Sequence, residues 1–171
     1  MTLVVEDGTG LSNANAYVSI ADCDDYQEVR GRTTWAALGD AEKEAKIIEA
    51  TMYLDSTFYW IGDIASETQA LGWPRINAED KEGRDLDDMV PSQVVNACCE
   101  LAYLAMSGPL VASISSAAIK RVKAGSVEVE YAGEYGNQVV ETDKMAWINR
   151  LLSGLTKGSS DGGPNIALLK A

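Results

Sequence analysis

The chain has 171 residues, with 26 acidic and 14 basic side chains, no histidine and a formal net charge of −12. A domain of this size can bury a sufficient core without disulfides or metals, and the lack of histidine excludes Ser–His and Cys–His catalytic pairs and most zinc sites. Residues 1–100 hold 20 of the acids and 7 of the bases. Because phosphates are held by Lys and Arg, this excess of acid disfavours a general nucleic-acid-binding surface.

The three cysteines, Cys23, Cys98 and Cys99, are too few and too unevenly spaced for a disulfide framework or a metal site. We expect them to be small buried apolar residues.

No apolar run approaches the ~18 residues that span a bilayer, and the N-terminus lacks the pattern of a signal peptide. The sequence therefore predicts folding in the cytoplasm, with no membrane segment and no cofactor.

The N-terminal region begins as a polar, turn-rich segment and then changes into a capped helix. Gly10, Ser12 and Asn13 favour turns. Ser19 is the expected N-cap, Asp22 follows three residues later in the position of a capping box, and Gly31 ends the helix. This pattern predicts an extended arm followed by about three helical turns.

A long helix is predicted from an N-cap at Asp40 to about Thr57. Ala45, Ile48 and Met52 mark one edge of its apolar stripe, and Ile47, Thr51 and Leu54 widen that stripe.

An aromatic group follows, formed by Phe58, Tyr59, Trp60 and Trp73. These rings could stack on nucleic-acid bases, but without a basic groove around them core packing or a subunit interface is the favoured interpretation.

Residues 61–90 form a long connection whose centre is expected to pack onto the helices through Trp73, with Arg75 reaching a carboxylate or a helix end. Asp85, Asp87 and Asp88 then lie in a charged loop. They could bind a hard cation, but their spacing does not fit an EF-hand, and a solvated surface loop is the favoured interpretation.

The second half predicts a helix, a hairpin and a last helix. Pro91 is expected at the first helical position of an apolar helix that stops at Gly108. Alternating residues then predict a hairpin at about 119–131, in which Lys120, Arg121 and Lys123 oppose Glu128 and Glu130. The final helix is expected from Thr142 to Ser153.

A Gly- and Ser-rich linker starts at Gly154 and leads to an apolar end, Pro164–Ala171. Such an end can order on a partner or fold back onto its own core, and we favour the partner.

The predicted fold is mainly α: a small helical bundle with an inserted β-hairpin, an extended N-terminal arm and a flexible C-terminal tail. Residues 1–153 form its single domain, and residues 154–171 form the linker and docking tail.

Three motifs carry a family resemblance over Val4–Leu155: Trp73-Pro74-Arg75, the Pro91-led helix ending in Ser107-Gly108-Pro109, and the strand Val127–Tyr131. With the N-terminal segment, they resemble a family of tailed-bacteriophage head–tail connector (adaptor) proteins. Some members of that family are labelled DnaT-like single-stranded DNA-binding proteins.

The resemblance implies a structural protein without enzymatic activity, located in the neck of the virion. Such proteins form a ring, commonly of twelve copies, that binds the portal protein and the tail or another neck protein. Double-stranded DNA passes through their channel without specific binding. We expect the C-terminal residues Ile166, Leu168 and Leu169 to contact the portal. The N-terminal arm and the hairpin residues Val127, Val129 and Tyr131 are expected to contact a neighbouring subunit or the tail.

Two other functions remain open. A single-stranded DNA-binding replication accessory would need a basic stripe, and in the sequence only Lys120, Arg121 and Lys123 cluster. A hydrolase that uses carboxylates such as Asp85 or Asp87 is the least favoured of the three.

Overall fold

The computed structural model describes residues 2–110, 121–124, 127–130 and 146–157, of which the hairpin strands are described by their backbone. The described residues confirm a mainly helical fold with a small antiparallel hairpin. Its elements are α1 (Ile20–Val29), α2 (Thr33–Ala36), α3 (Asp40–Thr57), β1 (Asp63–Ile64), β2 (Arg75–Ile76), α4 (Ser92–Leu104), a 3-10 turn (Ala105–Ser107), β3 (Arg121–Ala124), β4 (Val127–Glu130) and α5 (residues 146–151).

The core lies between α3 and α4, with α1 packed across both. α3 buries Ile47, Ala50 and Leu54, whereas α4 is buried on most sides, as expected for a helix with one charged residue. The sequence predicted a wider apolar stripe on α3. In the structure Met52 is 66% exposed, because α4 covers only the face that carries Ile47 and Leu54.

The helix starts agree with the sequence at α1 and differ by one residue elsewhere. Ser19 is the N-cap of α1, and its Oγ accepts a hydrogen bond from the Asp22 N–H at 3.1 Å. The N-cap of α3 is Gly39 rather than Asp40, since the Gly39 N–H donates to Glu42 at 3.1 Å. Pro91 caps α4 from outside the helix, because its ψ of 142° is extended.

The N-terminal segment is extended, as predicted, but it lies along the body. Glu6 is 4% exposed, and its carboxylate accepts hydrogen bonds from the backbone N–H groups of Gly8, Gly10 and Leu11. Val5 forms a backbone bridge with Ala16. The segment is therefore fixed to its own chain over most of its length.

The long connection contains the β1–β2 pair and packs inward through Trp73, which is fully buried as predicted. The prediction for Arg75 was wrong. Its guanidinium donates to the backbone carbonyls of Ile61, Gly62 and Gly72 rather than to a carboxylate or a helix end. These carbonyls belong to irregular backbone, where no helix or sheet supplies a hydrogen-bond donor.

The hairpin has the register that its charges predicted, with Arg121 paired to Glu130 and Lys123 paired to Glu128.

The body extends further than predicted at the C-terminal end. Leu155 is 1% exposed and its carbonyl accepts from the Ile61 N–H at 3.0 Å, so the linker predicted from Gly154 begins no earlier than residue 158. The predicted helix start at Thr142 lies outside the described residues.

Candidate nucleic-acid interface

Most cations of the described body are occupied by internal partners. Glu100 on α4 is 8% exposed and accepts hydrogen bonds from Arg32 at 2.7 Å and from the Tyr26 hydroxyl at 2.9 Å. It also forms an ion pair with Arg30, whose Nε lies 3.1 Å away. Burial, together with the hydrogen bond to the Glu100 carboxylate, raises the pKa of Tyr26. The two arginines also lie over aromatic rings, Arg30 over Tyr26 and Arg32 over Tyr103, so both hold α1 and the following loop to α4.

Four further cations have internal partners, three of them carboxylates and one a set of backbone carbonyls. Lys43 is 2.8 Å from Asp24, Lys46 is 3.2 Å from Glu49, and Arg84 is 2.7 Å from Asp80. Arg75 is bound by backbone carbonyls, as described above. A cation that already neutralises an internal acid contributes little to phosphate binding, because the carboxylate and the phosphate compete for it.

Among the cations whose side chains the structure describes, three have neither a described carboxylate nor a described backbone carbonyl as partner. These are Lys81, Arg150 and Lys157, and all three are exposed. Backbone contacts place their segments side by side. A Cβ added to Gly154 would lie 3.4 Å from the Lys81 Cβ, and the Lys157 N–H donates to the Tyr59 carbonyl at 2.7 Å.

Two exposed aromatic rings lie on the same segments. Tyr59 is 78% exposed and lies two residues after the end of α3, while Trp147 is 51% exposed and lies three residues before Arg150 on α5. Residues three apart on a helix share one face. We refer to Tyr59, Lys81, Trp147, Arg150 and Lys157 as the aromatic–cation surface.

This arrangement has the chemistry that single-stranded nucleic acid needs. Exposed aromatic rings stack on bases, at about 1–3 kcal/mol per base, and cations follow the phosphates. Buried aromatic rings cannot do so, and Trp60 and Trp73 are buried, as the sequence predicted for a core group. Tyr59 is exposed and does not pack in the core, so of the two roles predicted for that group only a subunit interface remains for it, as a prediction.

The family comparison agrees with this chemistry. Residues 1–169 match the family described as "Putative DnaT-like ssDNA binding protein". The chain belongs to this family. Searches among curated proteins and among solved structures returned no match. No comparison names a head–tail connector, so that resemblance stays a prediction.

The sequence-predicted contact residues of this DnaT-like family member do not gather at the surface described above. Val127 and Val129 lie on β4, where their backbones pair with Ala124 and Val122. Tyr131, Ile166, Leu168 and Leu169 lie outside the described residues, as does Lys120 of the predicted basic cluster. Their roles remain predictions.

Sequence analysis missed the surface because its members come from three distant segments. One signal was present: Trp147 and Arg150 lie off the apolar face that predicted α5, on which Ile148 and Leu152 are buried. No sequence pattern shows that Lys81 pairs with no described acid while Arg84, three residues later, pairs with Asp80.

The described residues of the family member offer little for other chemistry. Among them, no three His, Cys, Asp or Glu side chains gather to hold a metal ion, and no helix is both long and apolar enough to cross a membrane. Cys23, Cys98 and Cys99 are buried free thiols, as predicted. Burial raises the pKa of Cys98 to about 12, which keeps it in the unreactive thiol form at neutral pH.

Proposed function

We propose that this chain binds single-stranded DNA through the aromatic–cation surface. The observation that carries the proposal is the coincidence of unpaired cations and exposed aromatic rings. Lys81, Arg150 and Lys157 are bound to no described carboxylate, and their segments adjoin those of the exposed rings Tyr59 and Trp147. The family description, which names single-stranded DNA, supports the same class of ligand.

The charge of the whole chain limits how strong this binding can be. Three cations can neutralise about three phosphates, and the net charge of −12 repels the rest of the polymer. We therefore expect a short contact of a few nucleotides with little sequence preference, since stacking accepts every base. The proposal needs no catalytic residue and no cofactor.

The test is fluorescence anisotropy of a labelled oligothymidylate titrated with the full chain and its variants. We expect Trp147→Ala to weaken binding by about 5- to 150-fold, the equivalent of one lost stacking contact of roughly 1–3 kcal/mol. Lys157→Gln should weaken it by a smaller factor. The matched control is Lys46→Gln, which removes the same charge from a lysine already paired with Glu49.

The two lysine variants separate local contact from overall charge. If Lys46→Gln weakens binding as much as Lys157→Gln, binding depends only on net charge. The aromatic–cation surface is then not the binding site. If Trp147→Ala binds as tightly as the parent chain, no base stacks on that ring. Circular dichroism of each variant checks that the fold is retained.

A second candidate function is the head–tail connector, favoured by the concentration of acid in residues 1–100. An acidic wall suits a channel through which DNA slides without sticking, since like charges repel. In this candidate the chain forms a ring, commonly of twelve copies, in the virion neck. Its partners are the portal protein and the tail or another neck protein, through Ile166, Leu168, Leu169 and the β-hairpin.

Sedimentation velocity distinguishes the two candidates. The full chain is mixed with the portal ring of its phage in one cell and with an oligonucleotide in another. Co-sedimentation with the portal at a saturating ratio supports the connector and gives its copy number. Binding to the oligonucleotide alone supports the aromatic–cation surface.

A further inference from the structure

α3 carries an open apolar groove on the face that α4 leaves uncovered. The groove has a volume of about 510 Å³ and is lined on its floor by Ala45, Ile48 and Met52, with Leu110 at one side. Met52 is 66% exposed. The sequence pattern of α3 predicted burial for these three residues, so the helix is apolar on a face that the described body does not cover.

The C-terminal tail departs beside one end of this groove. Lys157, the last described residue, donates its N–H to the Tyr59 carbonyl at 2.7 Å, and Tyr59 lies two residues after the end of α3. The chain then continues through the Gly-rich residues 158–163 to the apolar segment Pro164–Ala171. The tail therefore starts near Ser56, the groove residue closest to the C-terminal end of α3.

The length of the linker matches the distance that the tail must cover. A flexible Gly-rich chain spans about 5–6 Å times the square root of its residue number, so the nine steps from Lys157 to Ile166 span about 15–18 Å. At a rise of 1.5 Å per residue, the seven positions from Tyr59 back to Met52 correspond to about 10 Å. Ile166 can therefore reach Met52 without stretching the linker.

The pattern of the tail also matches the groove. An extended segment covers about 13 Å from Ile166 to Lys170, and the helix covers about 12 Å from Met52 to Glu44. Because alternate side chains of an extended segment share one face, a tail running back along α3 places Leu168 near Ile48 and its single cation, Lys170, near Glu44. Glu44 lines the groove and pairs with no described cation.

We propose that the apolar tail Ile166–Leu169 of the same chain occupies the α3 groove, with Lys170 beside Glu44. The tether favours the tail of the same chain over that of a second copy, because a short flexible linker gives an effective concentration in the millimolar range. The tail thus shields the exposed apolar face of α3 from water. This inference does not depend on DNA binding.

The test is photo-crosslinking in the full chain, with a benzophenone amino acid in place of Leu168. After irradiation, we expect peptide mass spectrometry to find the crosslink on the α3 peptide that contains Ile48 and Met52. The product should migrate as a monomer in a denaturing gel. Met52→Glu should reduce this crosslink several-fold, whereas Val29→Glu, at another exposed apolar position (86% exposed), should leave it unchanged.

A second measurement uses the natural side chains. Met52 should react with hydrogen peroxide several-fold more slowly in the parent chain than in a Leu168→Glu, Leu169→Glu variant. A crosslink found mainly in a dimer band overturns the proposal in favour of the tail of a second copy. Absence of an α3 crosslink, together with equal oxidation of Met52 in both chains, shows that the tail does not occupy the groove.

Discussion

Asp55 on α3 joins two segments that are distant in the sequence, those of Tyr17 and Gly72, and also holds the nearby Trp60. Its carboxylate accepts hydrogen bonds from the Tyr17 hydroxyl at 2.6 Å, the Trp60 indole N–H at 3.0 Å and the Gly72 backbone N–H at 2.9 Å. The Tyr17 hydroxyl in turn accepts from the Trp73 N–H at 3.1 Å. Burial, with Asp55 adding to it, raises the pKa of Tyr17. This network fixes the long connection against α3, beside the aromatic–cation surface.

Gly72 is the residue at which this network tolerates no side chain. A Cβ built there would lie 2.5 Å from Trp60 Nε1 and 2.6 Å from Asp55 Oδ1. We therefore expect Gly72→Ala to destabilise the fold by about 1–3 kcal/mol, the usual cost of overpacking. Urea unfolding measures this as a lower midpoint. The control is Gly39→Ser, where the nearest atom would be 3.8 Å away and Ser can act as the N-cap. Equal midpoints for Gly72→Ala and the parent chain would contradict the prediction.

At the scale of elements, local patterns predicted what local forces determine. Ser19, Asp22 and Gly31 delimit α1 because caps act within one turn, and the hairpin register followed from its alternating charges. Long-range partners could not be predicted. Arg32 and Glu100 are separated by 68 positions, and nothing in either neighbourhood identifies the other. In the same way, periodicity defined an apolar stripe on α3 but not which edge α4 covers.

The loop that carries Lys81 is organised by Asp80, which lies just before the charged residues Asp85, Asp87 and Asp88. Asp80 is 9% exposed and accepts from the backbone N–H groups of Glu82 and Arg84 and from the Arg84 guanidinium. The Arg84 N–H, first among these donors, lowers the pKa of Asp80 below its ordinary value of 3.8. The turn therefore depends on the ionised carboxylate, and it positions Lys81 next to Gly154.

The stability of this loop should depend on pH. Because the folded-state pKa of Asp80 is lower than the unfolded value of 3.8, its contribution is complete above that value and is lost as pH falls through the lowered pKa. Asp80→Asn should therefore lower the melting temperature near pH 7, and the difference from the parent chain should shrink as the pH falls below 3.8. Thermal unfolding followed by circular dichroism at several pH values measures both. A difference that is constant with pH would show that charge on Asp80 is unimportant.

At the scale of the whole molecule, the acidic excess is partly used inside the fold. Glu6, Asp55, Asp80 and Glu100 hold backbone N–H groups or cations within the body. Of these acids, Glu100 pairs with Arg30 and Arg32, and Asp80 pairs with Arg84. Asp24 and Glu49 pair with two further cations, Lys43 and Lys46. A strongly acidic chain can therefore carry a small site for a polyanion, and binding to that site must be sensitive to salt.

That sensitivity gives a count of the cations in contact with DNA. Each phosphate neutralised on a single strand contributes about −0.7 to the slope of log affinity against log salt, so three cations predict a slope of about −2. Raising the salt from 50 to 200 mM should then weaken oligothymidylate binding by about 20-fold. Lys157→Gln should make the slope shallower by about 0.7, and Lys46→Gln should leave it unchanged. A slope of about −4 or steeper would mean that further cations, such as Lys120, Arg121 and Lys123, carry the contact instead. The absence of salt-dependent binding would remove single-stranded DNA as the ligand and leave the connector as the function to test.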